Sequence, residues 1–320
     1  MAIIQGRQGL ALLGRRLAQA VPVVIFGTFV VFGLLKLIPG DIAVTLAGDN
    51  ATDARIAEIR MLYGLDRPFL AQYGSWLFHA MQGDLSQSLL SGEPVAQSIA
   101  RSLPNTLLIV ALALFFALLV GIPLGMLAAS RPRSRLDTVI MSTASLGVAV
   151  PNFWLGMILV SFFALDFGWL PATGSVPLTE DAGQALRHAL LPALALAAGG
   201  IAEVARQLRS SLVDILSSQQ VRTLRAKGLS PAAILWKHGL KNVAINLITV
   251  ITLLFNRLLG ATVVVEAVFA IPGMGSLFVN AALARDFPVI QGVVFVMVLI
   301  VIAVNLLADL LYSVIDPRVT

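Results

Sequence analysis

Three stretches of this 320-residue chain, 102–130, 138–165 and 287–308, run without a single Asp, Glu, Lys or Arg. A bilayer's hydrocarbon core of roughly 30 Å takes about 20 apolar residues in helical form. In lipid each backbone polar group must be satisfied inside its own segment, so such runs fold as helices. A fourth run, 17–38, carries only Lys36 near its end. Two further spans are less clean: 188–205 holds Glu203, and 242–270 holds Arg257 and Glu266. With 12% charged residues and a mean hydropathy of +0.90, the chain does not suit a soluble domain, where about a quarter of residues are charged. The expected fold is an all-α integral membrane protein with six transmembrane helices.

The run at 17–38 follows Arg15-Arg16 but is longer than the apolar core of a cleaved signal, about 7–15 residues. No small-residue cleavage site follows it, so it reads as a retained first helix. Cysteine is absent, which excludes a disulfide framework and thiol metal sites. His79, His188 and His238 are far apart in sequence, and no metal site is expected.

Basic residues sort the loops. Arg7, Arg15, Arg16, Arg131, Arg133, Arg135, Arg206, Arg209, Arg222, Arg225, Lys227, Lys237, Lys241 and Arg318 fall on one side of six spans. The other side has Arg55, Arg60, Arg67, Arg101, Arg187 and Arg285, diluted among acids. The positive-inside rule then puts both termini in the cytoplasm. The net charge of +5 is a topology signal, and no nucleic-acid partner is invoked. The chain divides into an N-terminal tail and first helix (1–38), an extracytoplasmic helical loop (39–101) and a five-helix core (102–320). Within that core lies a cytoplasmic loop at 206–241.

The outer loop has helix signals. Thr52 or Asp53 can cap a helix that Gly64 stops. Pro68 suits the first turn of a second helix, along which Phe69, Tyr73, Trp76, Leu77 and Ala80 form one apolar face. Gly83 ends it, and Pro94 opens a short third piece. The loop reads as a cap on the outer ends of the spans, compatible with a docking surface for an external partner.

The cytoplasmic loop contains VRTLRAKGLSPAAILWKHGLKN at 221–242, with no acid in it. Arg222, Arg225 and Lys227 precede Gly228, as basic residues and a left-handed glycine do at a helix end. Ser230 and Pro231 then read as an N-cap and first helical residue. One helix ends and another begins, presenting Ile234, Leu235 and Trp236 outward. A solvated basic loop that merely fixes topology explains the charges. It does not explain the glycine, the cap or the apolar residues, which suit an elbow awaiting a socket.

VRTLRAKGLS and KHGLKN resemble the cytoplasmic loop of ATP-binding-cassette importer permeases, and specifically the first (B-type) permease of the dipeptide, oligopeptide and nickel group. The resemblance continues through LIPGD at 37–41, YGLDRP at 63–68, QYGSWL at 72–77, GDLSQS at 83–88, GIPLG at 121–125 and PNFWLG at 151–156. It runs on through GWLPATG at 168–174, HALLPALAL at 188–196, VVVEAVFAIPGMG at 263–275, RDFPVIQG at 285–292, NLLADLLY at 305–312 and DPR at 316–318. Where the superfamily's loop pattern has Glu-Ala-Ala, this chain has Arg222, Thr223 and Leu224, with Gly228 retained. The resemblance implies a type I importer permease fold. It also implies an ATPase-coupling loop comprising Arg222, Thr223, Arg225, Ala226, Lys227, Gly228, Leu229, Ser230, Pro231, Ile234, Leu235 and His238. Implied partners are a homologous C-type permease, two cytoplasmic ATPase subunits and an extracytoplasmic solute-binding protein, in the bacterial inner membrane.

Polar groups inside spans default to functional hypotheses. Lys36 snorkels from the end of the first helix. Arg257, about 24 Å beyond Lys241 at 1.5 Å per residue, either snorkels or lines a solute path. Glu266 lies about 14 Å further on, at or past the interface. Asn305 and Asp309 share one face of the last span near an inner gate. With Asn152 of the PNFWLG block, Arg257, Glu266, Asn305 and Asp309 are the candidate pathway or gate residues. The small-residue run at 193–200 allows close helix approach.

No phosphate loop G-x-x-x-x-G-K-[ST] occurs, since none of the lysines follows glycine. Hydrolase motifs are also missing. The chain is expected to be no enzyme, with no catalytic residues and no cofactor of its own. ATP and Mg2+ are used by the partner subunits. Peptides are the expected cargo, with nickel, nickel chelates or glutathione-like solutes as the alternative. A secondary transporter, built from inverted repeats, and a scaffold are readings from other classes.

Overall fold

The structure, a computed structural model, describes residues 2–37, 43–44, 52–62 and 64–315. Of the sequence motifs, positions 38–41, Tyr63 and 316–318 lie outside the described residues. The elements in chain order are α1 (Ala2–Leu37), α2 (Asp53–Leu62), α3 (Phe69–Met81), α4 (Val95–Ser130), α5 (Arg135–Ala149) and α6 (Asn152–Leu159). They continue with α7 (Ala182–Leu216), α8 (Gln219–Ala226), α9 (Pro231–Val268), α10 (Met274–Ala284) and α11 (Phe287–Ile315). A wider π-helical turn, Val160–Asp166, extends α6, and another, Ile234–Gly239, lies within α9.

Among the described residues, α1, α4, α7, α9 and α11 are each long and apolar enough to cross a bilayer. The expected third span is broken: α5 and the α6 segment meet at 95° and make a sixth crossing only if taken together. Pro151 is the cause. It offers no N–H to the preceding turn and drives Val150 out of the helical region, to φ −84° and ψ 123°. Pro94, expected to open a separate piece, instead starts α4, which runs unbroken to Ser130.

The chain forms two compact units, Met1–Leu103 with Ser276–Ala303, and Pro104–Gly275 with Val304–Thr320. In the first, the expected stops are in place, with Gly64 at φ +60° after α2 and Gly83 at φ +87° after α3. α3 docks on α1 through edge-to-face aromatic pairs, Phe69 on Phe29 and Tyr73 on Phe29 with centroids 5.4 and 5.3 Å apart. The Tyr73 hydroxyl donates to the Ile25 carbonyl at 2.8 Å. Ile25 lies in the middle of the apolar run of α1, so α3 is not confined to that helix's outer end, as the sequence suggested. Further along, the Asp286 carboxylate accepts from Ser88 Oγ at 2.5 Å and from the Leu89 amide at 3.2 Å, tying the loop before α4 to the start of α11.

The second unit is built around α7, whose alanines and glycines at 193–200 pack inward with few exceptions. Glycines on both sides permit the approach. A Cβ at Gly125 would stand 2.8 Å from the Ala205 carbonyl oxygen, and one at Gly200 would stand 2.9 Å from Ala117 Cβ. Small residues at such contacts bring backbones together and supply the dispersion that lipid-embedded helices rely on.

Candidate functional site

The basic elbow forms where the sequence places it. Ser218 caps α8 by accepting from the Val221 amide, and Gly228 follows at φ +81°. The Ser230 hydroxyl oxygen accepts from the Ala233 amide at 3.3 Å, with Pro231 as the first helical residue. Arg222, Thr223, Arg225, Ala226, Lys227, Gly228, Ser230 and Pro231 are exposed, and Leu229 and His238 are half-buried.

The second arm differs from expectation. It is no free-standing helix but the first turns of α9, continuous to Val268. Ile234 is buried, and Leu235 packs against a cluster of Met126, Leu208, Leu212 and Val243. Only Trp236 of the apolar trio faces outward, at 61% exposure. Gly239 explains the inward turn: a Cβ there would stand 3.1 Å from Leu212, so the wide π turn presses directly on α7.

A clamp that sequence reasoning missed fixes the short loop between α4 and α5. Arg209 of α7 grips Asp137 with two charge-assisted bonds, Nε to Oδ1 at 2.9 Å and Nη2 to Oδ2 at 2.6 Å. Asp137, 4% exposed, also accepts from the Arg133 amide at 2.9 Å. Nothing in their spacing pairs residues 72 apart.

A polar seam runs over the faces of α7, α9 and α11 within the second unit. Asn246 Nδ2 donates to Ser211 Oγ at 3.3 Å, and the Thr249 and Tyr312 hydroxyls meet at 2.8 Å. Asn256 Nδ2 donates to Asn305 Oδ1 at 3.4 Å, and Arg257 forms an ion pair with Glu203. On α9 these positions, 246, 249, 256 and 257, recur at helical spacing on one side. A partial signal for the ion pair was present, an acid in one span and a base in the next, but the second span also holds Glu266, so the sequence did not single out the pair.

The other candidates scatter. Asn152 is half-buried at the start of α6, beside the Pro151 break, and Asp309 is half-buried on α11. Glu266 is fully enclosed: it accepts from the Thr106 hydroxyl at 2.6 Å, and that same oxygen accepts from the Met274 amide at 2.8 Å. Gly273 and Gly275 lie against it where any Cβ would collide. The carboxylate thus locks the turn between α9 and α10 onto α4, and it does not face the seam.

An all-helical chain with several membrane-crossing helices, an outward-facing basic elbow and a polar seam at bilayer depth has the make-up of a transport permease. Residues 121–320 match the family of inner membrane components of binding-protein-dependent transport systems, and residues 10–113 match that family's N-terminal region. The chain belongs to this family and is a multi-pass inner-membrane permease subunit of an ATP-binding-cassette importer. It is 41% identical over 309 residues to a Brucella abortus (strain 2308) protein described as a peptide transport system permease, covering 97% of this chain and 98% of that one. It is 37% identical over 308 residues to the oligopeptide transport system permease protein AppB of Bacillus subtilis (strain 168), covering 95% and 98%. In fold it is similar to a chain of the inward-facing MetNI methionine transporter, with a TM-score of 0.59, 21% identity, and coverage of 70% of this chain and 99% of that one.

Proposed function

We propose that this chain is the B-type permease of an ATP-driven peptide importer and forms one wall of the translocation pathway. The polar seam carries the reading. Asn246, Arg257 and Asn305 are exposed on helices that otherwise show apolar surface, and such groups facing acyl chains are costly, about 2.5–3.5 kcal/mol for a central Arg. They need water, solute or a polar partner. A homologous C-type permease supplies the opposite wall, and an external binding protein delivers the peptide.

Energy enters through partners. Two ATPase subunits, which hold ATP and Mg2+, receive the elbow at 219–237, whose exposed Arg222, Arg225, Lys227 and Trp236 fit an acidic, apolar-floored socket. The chain itself performs no catalysis. Reconstitution of the co-expressed complex with its binding protein tests this. ATP-dependent uptake of peptide into liposomes is expected, lost when this chain is omitted. Uptake by this polypeptide alone would favour a secondary transporter.

A further inference from the structure

We propose that Glu203 and Arg257 form a way-station for the two charged ends of a peptide. In it the Arg257 guanidinium takes the α-carboxylate and the Glu203 carboxylate takes the α-ammonium. The inference rests on the peptide-permease reading and assigns a site to it. Depth is the first observation. Glu203 lies 13 residues from the Leu216 end of α7, about 20 Å, and Arg257 lies 11 residues from the Val268 end of α9, about 17 Å. Arg257 therefore sits well inside a helix long enough to cross the membrane, and Glu203, three residues before the basic stretch that opens at Arg206, pairs with it there.

Exposure is the second. The Arg257 side chain is 52% exposed and that of Glu203 32%, so the pair bridges α7 and α9 with the guanidinium open on one side and the Glu203 Oε2 that meets it covered. Asn256, next to Arg257 in sequence, has its Oδ1 buried with no hydrogen-bond donor.

Space is the third. One turn from each charge stands a glycine, Gly199 before Glu203 and Gly260 after Arg257. A Cβ at Gly260 would meet nothing within 4 Å, and one at Gly199 only the Gly147 carbonyl oxygen at 3.9 Å. Because α7 and α9 are successive crossings and run in opposite directions, both glycines lie on the same side of the pair. No side chain from either position occupies the ground next to the charges.

Chemistry selects the ligand class. A peptide carries an ammonium at one end and a carboxylate at the other, whatever its sequence. A guanidinium binds carboxylate through two parallel bonds, and a carboxylate accepts from ammonium. At rest the pair neutralises itself, so no unpaired charge is left in the membrane. With peptide present, two ion pairs replace one and net charge stays constant. Side chains of the peptide are not read, which suits a pathway serving many sequences.

The test uses the complete transporter in liposomes, with its partner subunits and binding protein. Three probes are trialanine, its C-terminal amide and its N-acetyl form, each at a concentration that saturates the binding protein. In the wild type, the unblocked peptide is expected to enter about tenfold faster than either blocked form. Arg257→Gln should bring trialanine down to the rate of its amide, and Glu203→Gln down to that of the acetylated form. Arg257→Lys keeps the charge and should recover part of the preference, and size-exclusion chromatography reports assembly of each variant. Equal slowing of all three probes would make the pair a strut and overturn the proposal. So would failure of a hydrophilic thiol reagent to reach Arg257→Cys in the assembled transporter, because the partner permease would then cover the pair. If the wild-type complex takes up none of the three while its ATPase responds to the binding protein, the peptide reading falls, and the station with it.

Discussion

At the scale of single residues, local signals were legible and distant ones were not. Gly228, Ser230 and Pro231 sit as the sequence indicates because a helix stop and an N-cap are written within four residues. The left-handed φ of +81° at Gly228 gives a sharp test, since a Cβ there meets nothing within 4 Å. Only backbone strain is at stake. Gly228→Val should cost about 1–2 kcal/mol and uncouple ATP hydrolysis from uptake, whereas Gly228→Asn, a residue tolerant of this region, should retain most coupling in the same assay. The role of Glu266 was not legible, because its partner Thr106 is 160 positions away. Thr106→Val removes a donor to an enclosed carboxylate and leaves the Met274 amide without its acceptor. A loss of about 1–3 kcal/mol is expected, visible as a lower melting temperature in detergent, while Thr106→Ser stays near wild type.

At the scale of elements, a cap and a glycine stop indicated α2, and helical periodicity between Pro68 and Gly83 indicated α3, but hydropathy could not see the bend at Pro151 or the depth of α3. Nor could it separate the elbow's second arm from α9, since a π turn leaves composition unchanged. α3 shows the gap most clearly. Its Phe69, Tyr73 and Trp76 face was legible, and it does pack on α1. Leu70, Phe78 and Met81 form a second apolar face, exposed at 69%, 59% and 67%. α1 likewise exposes apolar residues, among them Phe26 and Leu34. With Tyr73 bonded at mid-α1, this face is expected among outer-leaflet acyl chains. The chain has no native cysteine, so single spin labels at Phe78→Cys and Met81→Cys are clean reporters. Oxygen should relax them strongly and a water-soluble nickel chelate weakly, with Glu58→Cys as the aqueous reference. Nickel accessibility equal to that reference would place the helix in water.

For the whole molecule, the sequence settled class and family, because long uncharged runs and many ordered motif blocks survive without knowledge of contacts. What it could not provide was the pairing of distant charges, Asp137 with Arg209 and Glu203 with Arg257, since pairing arises only once helices pack. Orientation rests on charge distribution alone. Fourteen basic residues fall on the side of the elbow and six on the side of α2 and α3, and the former side should face the cytoplasm. Asp53 opens α2 and Gln220 lies on α8, both exposed. In intact cells an impermeant maleimide should label Asp53→Cys and spare Gln220→Cys, which becomes reactive only after the membrane is opened. Gln220 is preferable to its neighbour Ser218, whose hydroxyl caps α8. The reverse labelling pattern would put the elbow outside, away from any ATP. The seam could still line a pathway, but the elbow could no longer be where ATP hydrolysis is felt.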